Sequence, residues 1–479
     1  MTSNSASLAS VVKANDIRGR VPDQLDATVA HAFGAAFATL VALPHTGTLV
    51  VGRDMREHST MLCAAFVDGA VSRGAHVIDI GLASTDEVYF ASGHLDLPAA
   101  IFTPSHNPAD YGGIKLTGRS AAPMGLESGL AEVAALTGGL LDDDRGALAR
   151  SPLADPPGSV ERRDVLADYA AYLRSLVDLS AIRPLTVVAD AGNGMAGLTA
   201  PAVFAGTPVT VVPLFFELDG TFPNHDANPL VPANLVDLQR AVLEHGADAG
   251  LAFDGDADRC FLVDADGAVV PPSAITALIA TRELARHPGA GIIHNLITSR
   301  AVPEIVTEHG GTPIRTRVGH SFIKAVMAQT GAVFGGEHSG HYYFREFWGA
   351  DSGMLAALHV LAALGEDGVT DLATLAGSFS RYAASGELNS TVADPPAALA
   401  RIRGLVADLA TLTGVGADEI VVDDLDGLSL TAPPWWVNVR PSNTEPVVRL
   451  NVEAADAPTM AALRDRALAA ITSNEESMP

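Results

Sequence analysis

Short apolar runs alternate with amphipathic helical segments along most of this 479-residue chain. The stretches GTLVVGRD, AHVIDIG and AAIFTPS have the character of buried strands that end in Gly, Ser or Asp, and the segments between them space their apolar residues as helices do. The same rhythm restarts with PLTVVADAGNG and again with GIIHNLITSR. This alternation predicts largely parallel sheets covered by helices, which is the α/β class.

Two loop-rich stretches and a change in the apolar pattern indicate boundaries between domains. LLDDDRGALARSPLADPPGSV interrupts the first round, and SGELNSTVADPP precedes WWVNVRPSNTEPVVRLNVEA, in which two alternating strands flank a loop. A chain of this length also exceeds what one hydrophobic core supports. We therefore predict three α/β domains with mixed or parallel sheets at 1–156, 157–268 and 269–385, and an α+β domain with an antiparallel sheet at 386–479.

The chain is strongly acidic, with a formal net charge of −26. Such a surface repels nucleic acid and anionic membranes, so neither is an expected partner. A phosphate-bearing ligand would need a local cluster of arginines, backbone N–H groups or a metal. The N-terminus lacks the apolar core of a signal peptide, no run is long enough to span a bilayer, and the two cysteines form no metal or disulfide pattern; these features favour the cytoplasm.

Three aspartates, Asp254, Asp256 and Asp258, directly follow the apolar run AGLAF. An EF-hand loop counted from Asp254 would need Gly at its sixth and Glu at its twelfth position, where this chain has Arg259 and Ala265. Open α/β sheets bind ligands at the carboxyl ends of their strands. Three carboxylates there suit a hard divalent ion that also contacts a phosphate, and a solvated acidic turn is the alternative.

The turn TPSHNP also follows a strand and places Ser105 between Pro104 and His106. A serine hydroxyl is a weak nucleophile unless a base or a metal activates it. No G-x-S-x-G elbow is present, so a hydrolase triad has little support. A phosphoryl carrier assisted by a metal is chemically reasonable, and a purely structural turn is the alternative.

Two further polar loops could contact a sugar phosphate. GGEHSGH places Glu337, Ser339 and His341 at alternate positions, and their side chains would share one face and reach vicinal hydroxyls if the preceding strand continued. RPSNTEP combines a guanidinium with hydroxyls and turn N–H groups, which favours a phosphate grip over a simple polar hairpin turn. Its candidate residues are Arg440, Ser442, Asn443 and Thr444.

The stretch GNGMAG, residues 192–197, matches the dinucleotide-binding pattern G-x-G-x-x-G, and Glu217 lies 20 residues beyond Gly197. An NAD-dependent dehydrogenase is therefore a remote alternative. Against it, the aspartate loop and RPSNTEP would then have no role.

Seven stretches together resemble the α-D-phosphohexomutase family, in particular its bacterial phosphomannomutase/phosphoglucomutase group. In chain order they are KANDIRG, TPSHNP, YGGIK, DGDADR, VGHSFIK, GGEHSGH and RPSNTEP. Each is moderately specific, whereas all seven in order along nearly the whole chain are very specific. The resemblance implies four domains around a deep cleft, with one loop from each domain reaching it.

The resemblance also implies roles for individual residues. Ser105 would carry the phosphoryl group and, with Asp254, Asp256 and Asp258, ligate Mg²⁺, with Arg259 alongside. Glu337 and Ser339 would contact the sugar, and the non-reacting phosphate would lie against Arg440, Ser442, Asn443 and Thr444. The residues lining the cleft would be Arg18, Lys115, His320 and His341, of which Lys115 and His341 are the candidates for proton transfer.

The implied reaction interconverts hexose 6-phosphate and hexose 1-phosphate through a phosphoserine enzyme and a hexose 1,6-bisphosphate, which also serves as activator. Mannose phosphate is the first expected substrate, and phosphoglucomutase or phosphoglucosamine mutase activity is the alternative. Intact Ser105 and the three aspartates argue against an inactive sugar-phosphate-binding relative. Both a monomer and a homodimer fit the resemblance.

The chain departs from the family pattern at several positions. Asn15 stands where an aromatic is usual, Gly112 where Asn is common, and Ala257 where Gly is usual. Ile297 falls where several mannose/glucose members carry Lys, which bears on substrate contacts. Asn443 stands where glucosamine-phosphate mutases typically have Gly, which favours a hexose over an amino sugar.

Overall fold

Four β-sheets follow one another along the computed structural model, which describes residues 4–142, 154, 156–441 and 447–473. The first three sheets contain both parallel and antiparallel pairs, and every strand pair of the fourth is antiparallel. The predicted fold class, three α/β units followed by an α+β unit, is therefore confirmed.

The first sheet has the strand order β1-β5-β4-β2-β3-β6. Its strands are β1 (Ile17–Arg20), β2 (Thr48–Arg53), β3 (His76–Leu82), β4 (Ala99–Phe102), β5 (Tyr111–Thr117) and β6 (Val160–Arg162). Its helices are α1 (Asn4–Val11), α2 (Ala27–Phe37), α3 (Glu57–Ser72), α4 (Thr85–Leu95) and α5 (Ala131–Asp142). Strand β6 lies beyond the predicted boundary at 156/157 yet pairs in parallel with β3. The four domain boundaries stay a prediction.

The second sheet has the order β11-β10-β9-β7-β8. Its strands are β7 (Leu185–Asp190), β8 (Val209–Leu214), β9 (Ala249–Phe253), β10 (Cys260–Asp264) and β11 (Val269–Val270). Its helices are α6 (Leu166–Leu176), α7 (Ala196–Phe204) and α8 (Val236–His245). Strands β10 and β11 form the hairpin that the Asp-Gly turn predicts, and Gly267 adopts a φ of +78° in that turn.

The third sheet has the order β13-β12-β14-β15-β16. Its strands are β12 (Gly291–Asn295), β13 (Thr312–Thr316), β14 (Phe334–Gly336), β15 (Tyr342–Phe344) and β16 (Ala350–Asp351). Its helices are α9 (Pro272–Arg286), α10 (Ala301–Glu308), α11 (His320–Thr330), α12 (Gly353–Leu364) and α13 (Leu372–Gly377).

The fourth sheet has the order β17-β21-β20-β19-β18. Its strands are β17 (Ala383–Thr391), β18 (Val421–Asp423), β19 (Leu428–Ala432), β20 (Trp435–Pro441) and β21 (Val447–Ala454), and its helices are α14 (Pro395–Arg403), α15 (Val406–Thr413) and α16 (Ala457–Thr472). Short helical turns elsewhere in the chain span Ala38–Ala42, Arg119–Ala121, Leu126–Leu130, Pro232–Leu235, Arg345–Phe347 and Ala417–Glu419.

Side-chain caps set where several of these helices begin, because a serine or aspartate oxygen accepts a hydrogen bond from an otherwise unpaired N–H of the first turn. The capping residues are Asp26, Ser84, Ser352, Asp371, Asp394 and Asp456.

The same local arrangement recurs in all four units. A strand and its antiparallel neighbour, β4 with β5, β9 with β10, β14 with β15 and β20 with β21, are consecutive in the chain and joined by one of the polar loops noted in the sequence. Each loop therefore sits at the carboxyl end of its first strand, which is the edge where ligands bind in such sheets.

The hydrophobic core unites the first three units and leaves the fourth separate. One cluster of buried apolar residues runs from the first sheet to helix α13, and it includes α12, whose 12 residues are all buried. The fourth unit has a cluster of its own. A small cluster of Leu296, Ile297 and Trp436 joins the third unit to the fourth.

Candidate active site

Ser105 lies in the loop after β4, in a left-handed backbone conformation with a φ of +56°. Its N–H donates to Thr103 Oγ1 at 2.9 Å, and its side chain is buried. This conformation costs a non-glycine residue about 1 kcal/mol, so the surrounding contacts must impose it. It directs the hydroxyl towards the second unit, where Ser105 Oγ donates to Asp254 Oδ2 at 2.8 Å.

Arg56, which stands in none of the motifs quoted above, fixes the backbone of the Ser105 loop. Its guanidinium donates to the carbonyl oxygens of Ser105 and Asn107, at 3.0 and 2.6 Å. The same group lies 3.4 Å from Asp54 Oδ2 and 4.6 Å from the ring centroid of Phe222 in the second unit. The only signal in the sequence was the charged run RDMRE, which begins at the last residue of β2, at the edge of the sheet that carries Ser105.

Asp254, Asp256 and Asp258 are buried, and one carboxylate oxygen of each lies within 4.8 Å of the other two. Within the described residues, Oδ1 of Asp256 and Oδ1 of Asp258 accept no hydrogen bond. Buried anionic oxygens without donors are costly, and a hard divalent cation would satisfy them together with Ser105 Oγ. The residues therefore fit a divalent metal. Between the aspartates, Ala257 has a φ of +60°, which explains why glycine is usual there.

Lys115 enters this cluster from β5. Its ammonium donates to Asp256 Oδ2 at 2.6 Å and to Asp258 Oδ2 at 2.7 Å. Burial alone would lower the pKa of Lys115, but the two carboxylates outweigh it and raise that pKa well above its usual value. In this arrangement Lys115 holds its proton and is a donor.

Arg259 and His106 complete the surroundings of the serine hydroxyl. Arg259 Nε donates to Asp254 Oδ2 at 2.9 Å, and its Nη2 donates to Ser105 Oγ at 3.3 Å. His106 Nδ1 lies 3.3 Å from Ser105 Oγ and also contacts the Arg259 guanidinium. Burial and the charge of Arg259 lower the pKa of His106 well below its usual value, so its ring is neutral. The motif TPSHNP contained this histidine, but nothing in the pattern distinguished it.

The condition under which Glu337, Ser339 and His341 would share one face of a strand is not met, because β14 ends at Gly336 and the chain turns. The turn nevertheless gathers them: Ser339 Oγ lies 3.0 Å and Glu337 Oε2 3.7 Å from His341 Nδ1. Tyr343 OH donates to Glu337 Oε2 at 2.7 Å.

His341 connects this turn to the aspartate loop. Its Nε2 lies 3.5 Å from Asp258 Oδ1, and the backbones of Arg259 and His341 form an isolated antiparallel bridge. Burial would lower the pKa of His341, but Asp258 outweighs it and raises that pKa.

The other predicted residues are placed as follows. Arg18 Nη1 donates to Asn107 Oδ1 in the Ser105 loop at 2.7 Å. Arg440 is the next-to-last residue of β20, and its Nη2 donates to Glu387 Oε2 at 2.9 Å. His320 begins α11, but its side chain lies outside what the structure describes. Ser442, Asn443 and Thr444 also lie outside the described residues.

Besides Ala257, two of the departures are located by the structure. Asn15 lines a pocket together with Tyr89, Lys115 and Lys324. Ile297 is buried in the small cluster that joins the third and fourth units.

Four consecutive family descriptions match the chain. They are "Phosphoglucomutase/phosphomannomutase, alpha/beta/alpha domain I" at residues 9–136, the corresponding domain II at 167–267, domain III at 271–382 and the C-terminal domain at 387–470. The chain belongs to the phosphoglucomutase/phosphomannomutase family.

Relatives in this family are similar over almost their full length. A phosphomannomutase of Salmonella montevideo is 39% identical over 458 residues, covering 94% of this chain and 96% of the relative. A protein of Xanthomonas campestris named phosphohexose mutases is 38% identical over 442 residues, covering 92% and 94%. The crystal structure of a phosphoglucomutase/phosphomannomutase family protein from Burkholderia thailandensis superimposes with a TM-score of 0.83 at 33% identity, covering 98% of each chain.

The family assignment leaves the dehydrogenase alternative without support. The glycines of GNGMAG, which had suggested it, instead allow close packing of the backbone. A Cβ at Gly194 would lie 2.8 Å from the carbonyl oxygen of Gly255, and one at Gly197 would lie 2.3 Å from that of Phe216. Met195 N–H donates to Gly255 O at 3.0 Å. In this phosphoglucomutase/phosphomannomutase family member, the glycine stretch thus supports the aspartate loop. Among the described helices, none combines the length and apolar character needed to cross a membrane.

Proposed function

We propose that this chain is a phosphohexomutase that interconverts mannose 6-phosphate and mannose 1-phosphate. The position of the Ser105 hydroxyl carries the proposal: it lies 2.8 Å from Asp254 Oδ2 and 3.3 Å from Arg259 Nη2. A hydroxyl between metal-type carboxylates and an arginine is suited to carry a phosphoryl group. Relatives named phosphomannomutase support mannose, and the family description, which also names phosphoglucomutase, supports glucose phosphates as a second substrate pair.

Mg²⁺ is the proposed ion, because oxygen ligands on a loop that also reaches a phosphate suit it. Asp254, Asp256, Asp258 and Ser105 would hold it. When bound, the ion neutralises negative charge on the transferring phosphoryl group.

In the first transfer, the free hydroxyl oxygen of a hexose monophosphate attacks the phosphorus on phosphorylated Ser105. The bond from phosphorus to the serine oxygen breaks, a new bond to the sugar oxygen forms, and the product is hexose 1,6-bisphosphate. The attacking hydroxyl loses its proton and the serine oxygen takes one up. We assign these proton transfers to Lys115 and His341, which both contact Asp258. Lys115, which holds its proton, would supply the proton that the serine oxygen takes up, and His341 would accept the one that the attacking hydroxyl loses.

In the second transfer, the bisphosphate turns around and returns its other phosphoryl group to Ser105. Glu337 and Ser339 are proposed to hold the sugar, and Arg18 and His320 to line the cleft. The distal phosphate is assigned to the loop with Arg440, Ser442, Asn443 and Thr444. Free hexose 1,6-bisphosphate would rephosphorylate Ser105 and so act as activator. We place the enzyme in the cytoplasm, as a monomer or a homodimer.

A steady-state assay tests this function. Mannose 1-phosphate, glucose 1-phosphate and glucosamine 1-phosphate are compared with Mg²⁺ and catalytic glucose 1,6-bisphosphate. We expect turnover of the two hexose phosphates above that of the amino sugar, loss with excess EDTA and recovery with Mg²⁺. Turnover of none of them would refute the mutase, and full activity in excess chelator would refute the metal.

A further inference from the structure

Lysine is rare in this protein. Of its 30 lysine and arginine residues only three are lysines, Lys13, Lys115 and Lys324. Lys13 is exposed, whereas Lys115 and Lys324 are 7% and 5% exposed and line the same pocket. Both buried lysines contact a carboxylate, in a chain whose other side-chain cations, apart from histidine, are nearly all arginines. The mechanism above gives Lys324 no role.

The side chain of Lys324 bridges two units. It extends from α11 in the third unit, and its ammonium lies 2.7 Å from Asp351 Oδ1. On its other side, the ammonium lies 4.1 Å from the ring centroid of Tyr89, on α4 of the first unit, which is a favourable cation–π distance. The cation is therefore fixed by a carboxylate and an aromatic face.

Asp351, which Lys324 contacts, also lies next to His341. Strand β16 holds Asp351 directly opposite Tyr343, and Asp351 Oδ2 lies 3.9 Å from His341 Nε2. The same nitrogen lies 3.5 Å from Asp258 Oδ1, and the imidazole stacks on the Tyr343 ring. The imidazole edge thus faces two carboxylates, one from the aspartate loop and one held by Lys324.

We propose that Lys324 is a positioning residue for phosphoryl transfer: by holding Asp351, it keeps the imidazole of His341 turned towards the aspartate loop. This inference rests on the proposed function, because it matters for turnover only if His341 transfers a proton. Without the ammonium, Asp351 is a buried carboxylate lacking its cation, and either it or the imidazole must move.

The test compares Lys324→Met with Lys13→Met, the same substitution at the exposed lysine. Supporting groups behind a reactive residue typically contribute 10- to 100-fold, so we expect kcat of Lys324→Met to fall by about that factor while KM changes less than about twofold. In protein with isotope-labelled histidine, the ring resonance of His341, assigned with His341→Gln, should move in Lys324→Met and stay in Lys13→Met. The resonance needs no turnover, so it reports on positioning even if the mutase proposal fails.

Two outcomes would overturn the proposal. A raised KM with unchanged kcat would make Lys324 a substrate-binding residue, and an unmoved His341 resonance would remove the positioning role. If Lys324→Met does not fold, Lys324→Met/Asp351→Asn removes both buried charges together. This double variant should also show a displaced His341 resonance and a lowered kcat, and wild-type values for both would refute the inference.

Discussion

At the scale of single residues, position 105 combines chemistry with backbone strain. Ser105→Ala keeps the left-handed conformation under strain, whereas Ser105→Gly relieves it. We expect both variants to lose turnover by several orders of magnitude, and the glycine variant to be more stable than the alanine variant by about 1 kcal/mol in urea unfolding. Intact-mass analysis should find a phosphate on the wild type alone. Near-wild-type turnover in either variant would exclude the carrier role.

Arg440 offers a second residue-scale prediction. Its guanidinium already shares Glu387 with Arg449, so the carboxylate fixes the arginine at the end of β20. Loss of charge-assisted bonds to a phosphate is worth about 1.5–3 kcal/mol. Arg440→Ala should therefore raise KM for mannose 1-phosphate and glucose 1-phosphate by about 10- to 100-fold and increase the dependence on added hexose 1,6-bisphosphate. An unchanged KM would mean that the distal phosphate binds elsewhere.

The site residues that could be predicted from the sequence are those that lie close together in the chain. Asp254 and its two neighbouring aspartates stood out because one loop carries all three. Arg56 could not be predicted, since it is a single residue whose contacts with the Ser105 loop are distant in sequence. His106 and Lys324 stand in quoted motifs, but their contacts with Arg259 and Asp351 are also distant in sequence and left no pattern that distinguished them. The spacing of Glu337, Ser339 and His341 did not identify the local structure. Side chains at alternate positions lie on one face of a strand, but a tight turn can also bring them together.

At the scale of elements, the Ser105 loop depends on a buried arginine. Arg56→Met would leave Asp54 as an unpaired buried carboxylate and remove three bonds to loop carbonyl oxygens. We expect a loss of about 3–5 kcal/mol in the free energy of unfolding. Ser59→Ala, which removes one hydrogen bond to the same Asp54, should cost only about 1 kcal/mol. Equal losses in calorimetry would contradict this account of the loop.

Helix α4 joins three units through its first turn. Thr85 Oγ1 donates to Asp256 Oδ2 in the aspartate loop at 2.6 Å, and Asp86 Oδ2 accepts from Ser352 Oγ, at the start of α12, at 2.6 Å. The next residue, Glu87, is also buried, and its Oε2 has no hydrogen-bond partner among the described residues. Burial, and then the charge of Asp86, raise the pKa of Glu87 to about 8.

This pKa predicts a pH dependence of stability. The folded chain keeps the Glu87 proton up to about pH 8, whereas an unfolded chain releases it near its usual pKa of 4.5, so stability falls as pH rises between these values. Glu87→Gln should flatten that fall and make the protein more stable at pH 8. Glu57→Gln, at an exposed position in the first turn of α3, should leave the profile unchanged. The free energy of unfolding is measured for each protein at several pH values. If it fell with pH as steeply in Glu87→Gln as in the wild type, this account of Glu87 would be wrong.

At the scale of the whole molecule, the alternation of apolar runs predicted the α/β class, but not how the units pack. Helix α12 is apolar on every side, so its sequence indicates burial without indicating its neighbours. Of the recurring hairpins, the sequence indicated only β20 with β21, as two alternating strands around a loop. Strands of three residues such as β14 and β15 are too short for a periodic pattern.

The separate core of the fourth unit predicts separate unfolding. Trp435 points into that core, and the next residue, Trp436, points the other way into the cluster with Ile297. Trp436→Ala should weaken the contact between units by up to about 3–5 kcal/mol, raise KM by displacing the Arg440 loop, and split the calorimetric transition. Trp435→Ala should instead lower the melting temperature of the fourth unit itself. A single unsplit transition in Trp436→Ala would show that other contacts hold the units together.

The burial of Lys115 and Lys324 has a practical consequence for handling the protein. All three lysines lie within the described residues, and Lys13 alone presents its amine to solvent. An acylating reagent therefore meets one lysine side chain, a few residues before the strand that carries Arg18. Among the lysine side chains, a fluorophore or a surface tether would therefore attach at this one position, without an engineered cysteine, and it would leave the buried ammonium groups intact.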